Sequence, residues 1–351
     1  MSYSLLSLGE LLVDLVPSGR VGSLYRRAAG GAPANVAAGA ARLLGRGHRV
    51  GFAGGVGDDP FGHFLRDTLT NLHVDTQHLS LSHQVQTPCA VVGHMPGSED
   101  IDYTFYGPDD GKRLSLLDES TLPESDLTES RIVVLGGVSL SHPLSAAASV
   151  RAIEIASRGR ALVALDPNWR AILWDNPNRW VAAVRGLLPQ VDILKTSRSE
   201  LALLTGQDDF ARSITVLSQV STADRSVDRP LLLAVTMGAQ GSVYALFPST
   251  QAGDSPAATG TVPTLQVRSI DPTGAGDAFL AGLLSWLLLN VTAQTSGARI
   301  DLQHLTRADL QAAFGFANAT AALSTTRRGA MTGQPTRKAV LHAIGAMQLT
   351  F

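Results

Sequence analysis

Short β-type apolar runs alternate with helix-type stretches from one end of the 351-residue chain to the other. That alternation is what a parallel sheet covered by helices requires. Leu5 to Val13, Val50 to Gly54, Ile132 to Gly136, Ala161 to Leu165, Ile193 to Thr196 and Leu231 to Thr236 read as its strands. Proline at the first helical position, where its missing N–H costs nothing, marks helix starts at Pro33, Pro60, Pro143 and Pro177. Asp58 or Asp59 and Asn176 stand as caps before two of them, and Ser139, Ser141 and His142 as caps before a third. Asp14 to Arg27 and Thr87 to Tyr106 break the alternation as extended chain, the second with a turn at Pro96 to Asp100. They predict a small antiparallel sheet beside the main domain, placed as a lid. Ser221 to Pro230 and Pro248 to Pro263 read as surface loops.

A chain of this length corresponds to about two average domains. The unbroken α/β pattern favours one domain over residues 1–351, with a lid built from segments near 14–30 and 87–107. Charged residues make up 17% against a usual value of about 25%, and hydrophobic residues 44%, so bulk disorder is excluded. The single cysteine, Cys89, rules out a disulfide framework within the chain. With 28 basic and 30 acidic residues the net charge is −2, which is no footprint for nucleic acid. An anionic ligand must therefore be held locally, by backbone donors and one or two cations. The N-terminus lacks the basic start and cleavage site of a signal peptide. The longest apolar run, Ala278 to Leu289, falls short of the roughly 20 residues of a membrane span. These features predict a cytoplasmic protein without a membrane partner.

The densest chemistry lies in Ser269-Ile270-Asp271-Pro272-Thr273-Gly274-Ala275-Gly276-Asp277. Gly-Ala-Gly opens onto an apolar helical stretch, so backbone N–H groups at a helix start are free to face an anion. Asp277 then stands in the first turn, as a cap for the helix end or as a base beside the anion. Phosphoryl transfer needs both parts: donors for the spreading charge and a carboxylate to take the hydroxyl proton. Gly30-Gly31-Ala32-Pro33-Ala34-Asn35 permits close backbone approach, and Asn35 offers a donor and an acceptor. Asp14 follows the first strand, where parallel sheets place ligands.

The run Asp271 to Asp277 resembles the C-terminal signature of the ribokinase-like, or PfkB, carbohydrate kinases. Gly30 to Ala37 is similar to the family's glycine-pair motif in the wording of fructokinases. Gly9 to Asp14, Gly57 to Gly62 and Ala317-Asn318-Ala319 through Arg327-Arg328-Gly329-Ala330 extend the resemblance over nearly the whole chain. It implies a three-layer α/β/α domain with a mostly parallel sheet and a β-sheet lid, often paired between subunits as a homodimer. It also implies phosphorylation of a sugar by ATP with magnesium. Asp277 becomes the base, with Gly274, Ala275 and Gly276 as the anion hole. Asp14, Gly30, Gly31, Asn35, Asn168 and Arg170 become sugar contacts, the last two from an Asp-x-Asn-x-Arg element at Asp166 to Arg170. Lys195, Thr236, Gly238, Gly241, Gly276 and Asn318 are implied on the ATP side, and Glu200 holds magnesium through water. A monovalent cation such as K⁺ falls to Asp271 and Thr273 with carbonyls near Arg327 and Gly329.

Two departures from the family pattern stand out. Ser197 replaces a common asparagine, and the lid carries Gly107-Pro108-Asp109-Asp110 where relatives place an arginine, leaving Lys112 or Arg113 as substitutes. The resemblance favours fructose as the sugar. A 2-keto-3-deoxygluconate kinase, another sugar or nucleoside kinase, and a non-catalytic sugar-binding regulator stand as alternatives. The nine histidines lack zinc-site spacing, and neither a dinucleotide fingerprint nor a Walker motif is present.

Overall fold

A computed structural model describes residues 2–18, 24–93, 102–223, 229–248, 256–291 and 299–348. Its strands begin with β1 (Leu5–Leu8), β2 (Leu12–Pro17), β3 (Tyr25–Gly30), β4 (Val50–Gly57), β5 (Asp75–Ser82), β6 (Cys89–Gly93) and β7 (Asp102–Tyr106). There follow β8 (Ile132–Gly136), β9 (Leu162–Asp166), β10 (Ile193–Ser197), β11 (Leu231–Thr236), β12 (Ser242–Phe247) and β13 (Ala258–Val262). Nine of them form one sheet in the order β13-β12-β11-β10-β9-β8-β1-β4-β5, parallel except for the pairs made by β12.

Residue parity along the strands separates two cores, because successive side chains point to opposite faces. Leu5, Ile132, Leu162, Ile193 and Leu232 pack toward helices α1 (Ala32–Leu44), α2 (Pro60–Asn71), α8 (Ala275–Asn290), α9 (Arg307–Ser324) and α10 (Arg337–Gln348). Leu6, Val133, Val163, Leu194 and Leu233 pack toward α3 (Glu124–Glu129), α4 (Pro143–Arg158), α5 (Pro177–Leu187), α6 (Arg198–Thr205) and α7 (Phe210–Ala223). The result is the expected three-layer α/β/α domain. Asp59 caps α2 by accepting from the amides of Phe61 and Gly62, and Asn176 caps α5 through Asn178.

Several expectations need correction. The run Leu5 to Val13 is two strands in different sheets, separated at Gly9, whose φ of 144° suits glycine. The lid has four strands in the order β3-β2-β6-β7, and its central pair β2 and β6 is parallel, so it is not purely antiparallel. The turn at Pro96 to Asp100 lies outside the described residues. The stretch read as a loop before Pro263 contains β13, a half-exposed edge strand, and Ser221 to Ala223 belong to α7. His142 precedes α4 without a side-chain cap, while Ser141 Oγ donates to the carbonyl of Val138. No helix among the described residues is long and apolar enough to cross a membrane.

Candidate active site

The chain runs outward from β1 through β4 to β5 and then returns to β8 on the other side of β1. Such a reversal opens a crevice beyond the carboxyl ends of the strands. A cavity of about 550 Å³ lies there, bounded by Glu10 after β1, Asp14 on β2, Asn35 on α1, Asn168 and Arg170 after β9, and the start of α8.

Backbone geometry explains the glycine pair. Gly31 has φ of 109°, and a Cβ there would sit 2.3 Å from the carbonyl oxygen of Glu10. At Gly30 a Cβ would meet Asp14 Oδ2 at 2.2 Å, so the missing side chain is the space that the carboxylate fills. Gly31 lines the cavity and Gly30 backs it. Burial pushes the Asp14 carboxyl up to about 7.

Asn35 and Asp277 meet although 242 positions separate them: Asn35 Nδ2 donates to Asp277 Oδ2 at 2.7 Å. The second amide atom, Asn35 Oδ1, is buried without a partner among the described residues. Asp277 is the third residue of α8, yet no side chain caps that helix, whose N-cap is Gly274 in the left-handed conformation. The cap reading of Asp277 therefore fails. Burial pushes its carboxyl up, while the Lys195 ammonium and the Asn35 bond pull it back. Lys195 Nζ donates to Asp166 Oδ2 at 2.8 Å, both side chains being buried. A Cβ on Gly276 would approach that Nζ to 2.7 Å, so the ammonium lies directly beneath the first turn of α8.

A second cavity, about 310 Å³, lies on the other side of that turn. Thr236, Gly238 and Gly241 contribute from the β11–β12 hairpin and Asn318 from α9. Hairpin turn and cavity wall are the same residues: Met237 N–H donates to the Gly241 carbonyl at 2.8 Å while both glycines keep positive φ. Asn318 Nδ2 is fixed by the carbonyls of Val262 and Pro263.

Asp271 to Asp277 is thus the partition between the two cavities. Asp271, Thr273, Gly274 and Asp277 face the first, and Pro272, Ala275 and Gly276 the second. Ala275 N–H donates to the Pro272 carbonyl, leaving Gly274 and Gly276 as the open donors of the triplet. Asp271 accepts from Thr273 N–H at 3.0 Å and Gly329 N–H at 2.9 Å. Burial alone would raise its pKa, but these amides outweigh it and hold the carboxyl below its ordinary value.

Lys195, Glu200 and Arg327 line neither cavity. Glu200 accepts from Trp169 N–H and Ser197 N–H, each at 2.7 Å, and closes a capping box on α6 with Ser197. Ser197 is accordingly the helix cap, a role serine and asparagine share. Arg170 faces the cavity, and its Nη1 donates to the Trp169 carbonyl at 2.9 Å. Neither Lys112 nor Arg113 reaches the cavity; Arg26, from the lid strand β3, and Arg328 do.

Glu10 was not singled out by the sequence, although it is 2% exposed and lines the cavity. Its Oε1 accepts from Ala32 N–H at 2.9 Å, bracing the first turn of α1, and Oε2 has no partner among the described residues. Burial pushes this carboxyl up to about 8. A carboxyl that holds its proton in the folded state and loses it near pH 4.5 when unfolded costs stability as pH rises between those values. Glu10→Gln keeps the acceptor and removes the titration. Its melting temperature relative to the wild type should therefore climb steadily from pH 5 to pH 8 and level off above; a difference independent of pH would contradict the assignment.

Residues 4–337 match the family model for pfkB family carbohydrate kinases. The chain belongs to that family. It is 34% identical over 328 residues to a fructokinase of Klebsiella pneumoniae, covering 93% of this chain and 95% of that one. A fructokinase of Xylella fastidiosa with bound ATP superposes with a TM-score of 0.82 at 28% identity, covering 99% and 100% of the two chains. A fructokinase of Vibrio cholerae O395 with fructose, ADP and calcium ion gives 0.76 at 30% identity over 97% and 98%. In this pfkB kinase the segment that resembles the family's C-terminal signature, Asp271 to Asp277, is the one that divides the two cavities.

Proposed function

We propose that the protein is an ATP-dependent fructokinase that transfers the γ-phosphoryl group of ATP to the C6 hydroxyl of D-fructose. The observation that carries this reading is the partition: one turn of backbone, Gly274 to Asp277, separates a cavity lined by carboxylates and amides from one lined by a glycine hairpin. The first suits a polyhydroxylated sugar and the second a nucleotide. Asp14 and Asn35 hold sugar hydroxyls, with Gly31 giving close backbone approach and Asn168 and Arg170 closing the opposite side. Asp277 accepts the proton of the attacking hydroxyl. The open amides of Gly274 and Gly276, at the positive end of α8, stabilise the transferring group. Lys195 acts from beneath, pulling the Asp277 carboxyl down against the rise that burial imposes.

Among the described residues no group of three His, Cys, Asp or Glu side chains is arranged to hold a metal. Magnesium entering on the ATP phosphates would neutralise their charge; Glu200, which lines neither cavity and whose two oxygens accept from Trp169 N–H and Ser197 N–H, would bear on it only through water. A K⁺-type site has its own support: a Cβ on Gly333 would lie within 3.3 Å of the carbonyls of Gly329, Ser324 and Arg327. That carbonyl cradle adjoins Asp271, which accepts from Gly329 N–H and, on its other oxygen, from Thr273 N–H. The lid sheet ends on β3 and β7, with Tyr25 and Tyr106 exposed, which supports a homodimer paired through the lid. Light scattering should give twice the chain mass, and a monomer would exclude that pairing. The free, buried Cys89 suits the reducing cytoplasm.

The test is sugar-dependent ADP release across fructose, ribose and nucleosides. Fructose should give the highest kcat/KM. A preference for another acceptor would overturn the substrate assignment, and no release with any acceptor would favour a sugar-binding regulator instead.

A further inference from the structure

A third cavity, about 360 Å³, lies where α1 ends, lined by Ala41, Arg42, Gly45, Arg46, His48, His73 and Thr336. The 13 residues of α1 put it about 20 Å from the Gly31 end of that helix. None of its residues lines the sugar cavity or the nucleotide cleft.

Four of those seven residues are cationic or able to become so, and none is acidic. Two further arginines approach from other elements: Arg131 at the start of β8 and Arg337 at the start of α10 both act on His48. Burial and these two charges push the His48 pKa down, and its ring contacts Ser4 Oγ at 3.2 Å. Neighbouring Arg49 is paired with Asp75 at 2.8 Å, whereas Arg42, Arg46, Arg131 and Arg337 make no ion pair among the described residues. Arg131 Nη2 is buried without a hydrogen-bond partner among the described residues. The chain as a whole carries a net charge of −2, so this concentration is local and not a reflection of composition.

Like charges gathered round a cavity repel, and an anion seated among them adds an attraction to each that offsets the repulsion. Arginine suits a phosphate because its planar fork offers paired donors. From the cavity and its uncompensated cations we infer a second anion-binding site, separate from the catalytic one, that takes a compact phosphate-bearing ligand. Its volume is that of a small-molecule pocket, which favours a phosphate or phosphate ester over a flat polyanion. An anion seated there favours the charged form of His48 and so raises the pH at which that ring titrates.

Calorimetry with inorganic pyrophosphate, on the full chain saturated with a non-hydrolysable ATP analogue and fructose, tests this. One binding event should remain, weakened at least tenfold in Arg42→Ala/Arg46→Ala while kcat and melting temperature stay at wild-type values. The His48 Cε1 proton resonance should titrate at higher pH when pyrophosphate is bound. A parallel titration with a hexose phosphate separates an inorganic ligand from a phosphorylated metabolite, the tighter of the two being the natural class. The inference is overturned if no event remains under nucleotide saturation, or if the double variant binds as well as the wild type. It is equally overturned if His48 does not shift, or if only anionic vesicles or RNA bind.

Discussion

Asp277→Asn should lower turnover by about 100- to 10,000-fold, the usual range for removal of a general base, while ATP binding stays close to wild type. Asparagine is nearly isosteric, can still bond to Asn35 after a flip of its amide, and leaves the backbone amides of α8 in place. What it loses is the oxygen that accepts the proton in the proposed transfer. Because Asp277 does not cap α8, the substitution should cost little stability, which separates this outcome from a folding defect. Steady-state kinetics and a nucleotide titration on the same preparation decide it. Near-normal turnover would remove Asp277 from the reaction; lost nucleotide binding would make it a structural residue.

Lys195→Met should have the largest effect on stability and a second effect on the chemistry. The Lys195–Asp166 pair is buried on both sides, at 7% and 4% side-chain exposure. Removing one partner of such a pair typically costs about 3 to 5 kcal/mol, because the other is left charged and uncompensated. Urea unfolding reads that loss. The Lys195 ammonium also pulls the Asp277 carboxyl down against the effect of burial, so its removal should move the acid limb of the kcat/KM profile to higher pH. Pairing the substitution with Asp166→Leu distinguishes the two roles. The double variant should recover stability by removing the orphaned carboxylate, yet keep the shifted acid limb. Recovery of both would mean that Lys195 serves only to hold the fold.

The helix start at Asp277, the glycine pair and the hairpin at Gly238 to Gly241 were legible in the sequence because each is a local device: glycine where a side chain cannot fit, next to a group that acts. Strands buried on both faces announced themselves as apolar runs. The edge strands β5 and β13 did not, since a half-exposed strand such as Asp75–Ser82 mixes polar residues freely. Glu10 was hidden for a different reason. It sits in what looks like one continuous strand, and only the break at Gly9, where the chain leaves the main sheet for the lid, turns its carboxyl into the site. Arg26 was equally hidden, because its place over the cavity depends on the pairing of β2 with β3, which long-range register decides. The family resemblance alone put Lys195 on the ATP side, as a phosphate contact. Its ammonium instead pairs with Asp166, 29 residues away, beneath the first turn of α8, and lines neither cavity.

The claim that a phosphoryl group crosses the Asp271 to Asp277 partition, from a nucleotide on one side to a sugar hydroxyl on the other, is tested most directly by the product. D-Fructose and ATP incubated with the protein and followed by ³¹P NMR should yield ADP and fructose 6-phosphate in equal amounts, with Asp277→Asn yielding neither on the same time scale. ADP with free phosphate and no sugar ester, or phosphate at another carbon of the sugar, would contradict it.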